Sequence, residues 1–326
     1  MKPSLHELLE SAHVVALPVV ARFRGIDTRE AVLFEGPQGW TEFSPFVEYD
    51  DAEAVDWLRA AIDFGWHEAP HALRASIPVN ATVPAVGPDE VAGVLARFPG
   101  CRTAKIKVAS PDQTLEDDIA RVRMVRSLLG AEGRIRIDAN GLWTVDEAER
   151  AIHALNVFDL EYVEQPCATV AELAEIRERT AYLGVPIAAD ESVRKTGDPL
   201  AVARAGAADI LVIKAQPLGG IRAALSIIGQ TGLPVVVSSA LDTSIGISMG
   251  AHLAAAVPGL YFDCGLGTAS LLLGDVTTDP LLPVDGEIAV RRITPDLALL
   301  DRYAAAPERR EWWIARLERT YALLPD

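Results

Sequence analysis

Short apolar runs ending in a charged or polar residue recur at steps of about 25 residues through the middle of this chain. Residues 77–83, 103–108, 134–138, 160–164, 186–190, 210–214, 234–238 and 260–263 read as strands, rich in Val and Ile. Between them lie stretches with helical period, such as 113–129, 144–155, 169–182 and 221–231. One strand and one helix per step is the alternation of a parallel barrel, and eight strands suffice to close it.

The flanks break that rhythm. Residues 14–20 and 30–35 look like paired strands, followed by the turn Gly36-Pro37-Gln38-Gly39 and by Trp40-Thr41-Glu42-Phe43. Residues 50–66 have helical spacing, with Asp50 or Asp51 as the N-terminal cap. Beyond 274 there is a strand-like run at 287–291 and a last helix at 307–324, whose Trp312, Trp313, Ile314, Leu317 and Tyr321 suit docking on the first unit. The expected organisation is a barrel over 76–274 and an α+β capping domain built from 1–75 plus 275–326. Arg22, Arg24 and Arg29 fall in a polar stretch expected to be a loop, either a solvated turn or a short cationic lid.

Charge narrows the partners. Acidic residues outnumber basic ones 46 to 30, a net charge of −16, which argues against nucleic acid or an anionic membrane and for a small-molecule substrate. The three cysteines, Cys101, Cys167 and Cys264, are far apart and lack Cys-x-x-Cys spacing, which favours a reducing, cytoplasmic setting. The acidic N-terminal stretch does not read as a signal peptide, and no run of about 18 apolar residues suggests a membrane span. Oligomeric state is left open; a monomer is compatible with the sequence.

The chemistry gathers at the strand ends. Side chains at i and i+2 on a strand share a face, so Lys105 and Lys107 point the same way. Their mutual repulsion lowers the cost of losing a proton, which is how a lysine becomes a base near neutral pH. The alternative is an edge strand with two solvated lysines. Asp138, Glu164 and Asp190 end three consecutive strands and can converge; a hard divalent cation would relieve their repulsion, and an all-oxygen set favours Mg²⁺ over zinc. Lys214 ends the next strand, across the barrel from the lysine pair. Lysines flanking a metal suit removal of a proton next to a carboxylate.

Lys105-Ile106-Lys107, Asp138-Ala139-Asn140, Glu164-Gln165-Pro166, Ala189-Asp190-Glu191-Ser192 and Lys214-Ala215-Gln216-Pro217-Leu218-Gly219-Gly220-Ile221, in that order and spacing, resemble the enolase superfamily. The likeness covers most of the chain and is to the branch of the muconate-lactonizing enzymes, with lysines on opposite faces of the substrate. It implies an α/β fold, a modified TIM barrel of (β/α)7β form with an α+β capping domain. By that match Lys107 is the acid/base, Lys105 its partner and Lys214 the opposing lysine. Asp138, Glu164 and Asp190 become ligands of Mg²⁺, with Mn²⁺ as an alternative.

Within the family, the seventh strand ends Val237-Ser238-Ser239-Ala240, where racemases resembling mandelate racemase carry a histidine. The last strand offers Asp263-Cys264-Gly265, without the second acid of the dipeptide epimerases. The chain looks most like the family's dehydratases that aromatise a succinyl-bearing hydroxycyclohexadiene carboxylate for menaquinone biosynthesis. Ser239, Asn140 and the backbone of Gly265 and Gly267 are then the expected substrate contacts. Arg22, Arg24 and Glu191 are candidates for a lid or for supporting positions around the site. Rival readings are an N-succinyl amino acid racemase, a muconate-type cycloisomerase and a catalytically silent metal-binding scaffold; clustered buried charge with no task argues against the last.

Overall fold

The computed structural model describes residues 2–23, 25–194 and 198–325. Strands β1 (His13–Phe23), β2 (Ile26–Gly36) and β3 (Gly39–Phe43) form an antiparallel meander. Its tight turn brings Gly36 opposite Gly39, whose φ of +113° is open to glycine alone at low cost. The helix Asp51–Trp66 begins at Asp50, whose carboxylate accepts the N–H of Glu53, and buries Trp57, Leu58 and Phe64. The last helix, Pro307–Ala322, starts on a proline and adds Trp313 and Leu317 to the apolar cluster that holds Trp57 and Leu58. Trp313 meets Phe43 edge-on at 6.2 Å and donates its indole N–H to Glu30.

The expected loop at 22–29 is instead the end of a hairpin. Phe23 pairs with Ile26, and Thr28 and Arg29 pair with Pro18 and Leu17, with an irregularity in the ladder between them. Arg29 lies buried on β2, donating to the carbonyl of Leu241 and to Ser44 Oγ, with its guanidinium 4.6 Å from the Phe46 ring. A buried arginine with these partners is a strut between units, not a lid cation. Arg22 is exposed and donates to the Gly25 carbonyl; Arg24 lies outside the described residues.

The second sheet is parallel throughout. It contains β5 (Ala81–Val83), β6 (Thr103–Lys107), β7 (Arg134–Asp138), β8 (Leu160–Glu164), β9 (Ile187–Ala189), β10 (Ile210–Ile213) and β11 (Val235–Val237), each beside its neighbour in the chain. Isolated parallel bridges, Val79 to Cys264 and Ser238 to Gly265, join its two edges. The closure corrects two expectations. Run 77–83 splits: β4 (Ser76–Pro78) turns away to pair antiparallel with β12 (Glu287–Ala289), and only β5 enters the barrel. The expected eighth strand at 260–263 is displaced, since Cys264 and Gly265 make the bridges. Asp263 sits at the opposite end, accepting from Thr103 and Arg134, which begin β6 and β7.

Three intervening helices, Leu115–Leu129, Val145–Leu155 and Val170–Thr180, start by one local rule. Thr114, Thr144 and Thr169 each accept the N–H three residues on, while Asp117, Glu147 and Glu172 bond back to the threonine N–H. This reciprocal cap is written in the sequence as Thr-x-x-acid. The meander is tied to the barrel by Glu42 of β3, fully buried, which accepts from both the N–H and hydroxyl of Thr243. No helix among the described residues is long and apolar enough to cross a membrane.

Candidate active site

Strands β6 to β10 deliver their terminal side chains to one end of the barrel. Parallel register sets Lys107 beside Asp138 and Asp138 beside Glu164. Lys105 and Lys107 both donate to Asp138 Oδ2, at 3.1 and 2.5 Å, as their shared strand face requires. Lys105 also donates to Glu164 Oε1 at 2.6 Å, and Lys107 to Asn140 Oδ1 at 2.8 Å. Opposite them Lys214 pairs with Asp190 Oδ2. Asp138, Glu164 and Asp190 are all buried.

The charges set one another's protonation. Burial disfavours the Lys105 ammonium, but Glu164 and Asp138 outweigh it and hold its pKa well above the usual lysine range. For Lys107 burial prevails and Lys105 adds repulsion, so its pKa is lowered despite Asp138. Burial would raise the Asp138 carboxyl, yet Lys107 and Lys105 pull it well below the usual range. Asp190 is lowered against its burial by Lys214 and Arg194. Glu164 is pushed up to about 7 by burial and by Asp138. Lys107 is therefore the member of the strand pair able to shed its proton.

Among the described residues no three acids, histidines or cysteines are gathered as a ready-made metal cage; the three carboxylates point their oxygens at lysines. The donor chemistry nevertheless fits a hard divalent cation. The donors are buried carboxylates from successive strand ends, the all-oxygen set that such a cation prefers.

A cavity of about 30 Å³ lies between the lysines, bounded also by Asn140, Ser239, Gly265 and Thr268, with Phe46 and Leu241 above. Ser239 donates its hydroxyl to the Gly265 carbonyl at 2.7 Å and shares a bond of the same length with Thr268. A side chain at Gly265 would collide with Ser238 Oγ, 2.4 Å from its Cβ. Gly267 faces Asn80 and Phe98 rather than the cavity. Glu191 supports the site from outside it, accepting from Asn140 Nδ2 at 3.2 Å and from Arg194 at 3.0 Å. Arg22 makes no described contact here.

Sequence reasoning missed Thr82, Phe46, Gln165 and Arg194. Thr82, one residue before the end of the first barrel strand, lines the cavity, so a search of the last two positions of each strand could have found it. Gln165, at φ +38°, accepts the N–H groups of Asp190 and Ser192 and so shapes the turn that presents Asp190. Phe46 carries no local signal, since only packing brings it over the barrel.

A family model described as Enolase C-terminal domain-like matches residues 89–296, and one described as Enolase N-terminal domain-like matches 14–65. The chain belongs to the enolase superfamily, whose members generally use a divalent metal. It is 55% identical over 322 residues to o-succinylbenzoate synthase of Mycobacterium marinum, covering 98% of this chain and 96% of that protein. To o-succinylbenzoate synthase of Mycobacterium tuberculosis it is 56% identical over 323 residues, covering 99% and 97%. The muconate lactonizing enzyme from Pseudomonas putida shares the fold at 20% identity, with a TM-score of 0.74 over 90% of this chain and 98% of that one.

Proposed function

We propose that this chain is a dehydratase that converts 2-succinyl-6-hydroxy-2,4-cyclohexadiene-1-carboxylate to o-succinylbenzoate, a step of menaquinone biosynthesis in the cytoplasm, with Mg²⁺ as its metal. The observation that carries the reading is Lys107 facing Lys214 across carboxylates at the barrel's catalytic end, in a chain matching o-succinylbenzoate synthases along nearly its full length. We take 1–75 plus 275–326 as the cap and 76–274 as the barrel.

Lys107, whose pKa is lowered by burial, in its neutral form removes the proton next to the ring carboxylate. Now an ammonium, it donates that proton to the departing hydroxyl on the same face, which makes the elimination syn. Lys214 holds positive charge against the opposite face of the ring and stabilises the anion formed in between. Lys105 keeps its proton and secures Asp138 and Glu164. Asp138, Glu164 and Asp190 are the residues that would hold Mg²⁺, which when bound would supply positive charge to the substrate carboxylate.

The facing lysines also favour a second reading, exchange of the alpha proton of an N-succinyl amino acid between two bases. The test is the ultraviolet appearance of o-succinylbenzoate with Mg²⁺ and with EDTA. Turnover abolished by EDTA and restored by Mg²⁺ supports the dehydratase. A folded, metal-replete protein with no turnover sinks it, and deuterium exchange into N-succinyl amino acids then decides for the racemase.

A further inference from the structure

Asp190 is followed at once by the single helical turn Glu191–Arg194, and a side chain four residues on folds back over the first. Arg194 does so with its side chain only 4% exposed. Its Nε donates to Asp190 Oδ1 at 3.4 Å and its Nη2 to Glu191 Oε1 at 3.0 Å. Nη1 donates to the Tyr49 hydroxyl oxygen at 3.0 Å, with Glu53 Oε1 at 3.8 Å. Asp190 and Glu191 belong to the barrel, Tyr49 to the segment that enters the capping helix, and Glu53 to the first turn of that helix.

Both lysines lie within reach of this guanidinium through one or two intermediaries. The other oxygen of Asp190 takes Lys214. Glu191 Oε1 takes Asn140, whose side-chain oxygen takes Lys107. On the cap side the Tyr49 ring packs edge-on to Phe46 at 5.6 Å, and Phe46 walls the cavity.

We infer that Arg194 is a positioning residue: its guanidinium orients Asp190 and Glu191 beneath the two lysines, and its bond to Tyr49 seats the cap over them. It touches no reacting atom. The fork is what the task needs, because three acceptors in different directions are met by one planar group and not by an ammonium. The kinetic arm of the test rests on the dehydratase reading, whereas the metal-binding arm does not.

The test compares Arg194→Lys, Arg194→Met and Tyr49→Phe with the wild-type chain for thermal unfolding, Mn²⁺ binding by electron paramagnetic resonance, kcat and KM. Arg194→Lys is expected to unfold close to the wild-type temperature while Mn²⁺ affinity and kcat each fall by about 10–100-fold. Arg194→Met falls at least as far. Tyr49→Phe keeps wild-type Mn²⁺ affinity and raises KM by about threefold to tenfold, the mark of a loosened cap. Wild-type Mn²⁺ affinity in both Arg194 variants overturns the inference, even if they unfold earlier, because the role is then structural only. An inactive wild-type chain would sink the reaction reading alone, and the Mn²⁺ affinities would still decide for or against Arg194.

Discussion

At the end where the barrel strands begin, the buried cation is Arg136; at the end where they finish, the cations that line the cavity are lysines, with Arg194 behind them. Arg136 is fully buried, 2.5 Å from Glu161 and 2.6 Å from the Asp263 carbonyl, with its guanidinium 4.8 Å from the Tyr162 ring. Beside it Arg134 pairs with Asp263 at 2.6 Å. Two residues further along β7 the partners change to Asp138, Lys105 and Lys107. A guanidinium keeps its proton at any working pH and spreads several donors in a plane, so it serves as a permanent brace. An ammonium is a point charge whose proton burial can loosen, so the lysine end can do acid–base work. Similar burial and similar ion pairing thus yield structure at one end and chemistry at the other.

Lys107→Ala breaks that contrast most sharply. A lost general base typically removes 10²–10⁴-fold, so kcat, followed by product absorbance, should drop by about 10³-fold with thermal unfolding little changed. If Lys107→Ala keeps substantial turnover, another group is the base. Arg136→Met should do the reverse. Removing one member of a buried pair leaves its partner charge uncompensated at a cost of about 3–5 kcal/mol, read from denaturant midpoints, while the protein that remains folded turns over substrate at a rate within about tenfold of wild type. Loss of kcat without loss of stability would move Arg136 into the catalytic machinery.

The pH dependence separates the ends again. Because burial lowers the Lys107 pKa, the active base form accumulates below the ordinary lysine value of 10.5. The rate should climb by about tenfold per pH unit below that midpoint and then level off. A rate that is flat across neutral and alkaline pH would remove Lys107 from the rate-determining proton transfer. The smallest effect belongs to Asp263→Asn. Its partner Arg134 is half exposed, so a cost of about 1 kcal/mol is expected, with kcat unchanged. A drop in kcat would put Asp263 at the catalytic end after all.

Much of the catalytic end was legible because its signals are local. Lys105 and Lys107 sit two apart on one strand, and each of Asp138, Glu164 and Lys214 closes an apolar run whose register with its neighbours is set by the barrel period. Asp263 misled because it falls at the same period as the strand-end residues while lying at the start of its strand, not the end. Periodicity counts residues and is blind to phase. Arg29, expected in a solvated or lid loop, is buried because the hairpin continues through it and Ser44 and Leu241 supply its acceptors.

By itself the sequence determined the alternation of strand and helix, the threonine caps that start three of the helices, and the charged residues that close the strands from β6 to β10. These depend on contacts within a few residues, and the chain spells them out. Only the tertiary structure decided where the barrel closes, that run 77–83 divides between two sheets, and that Arg194 meets Tyr49 from 145 positions away. Such contacts follow from how whole elements pack, and nothing near either residue in the chain encodes its partner.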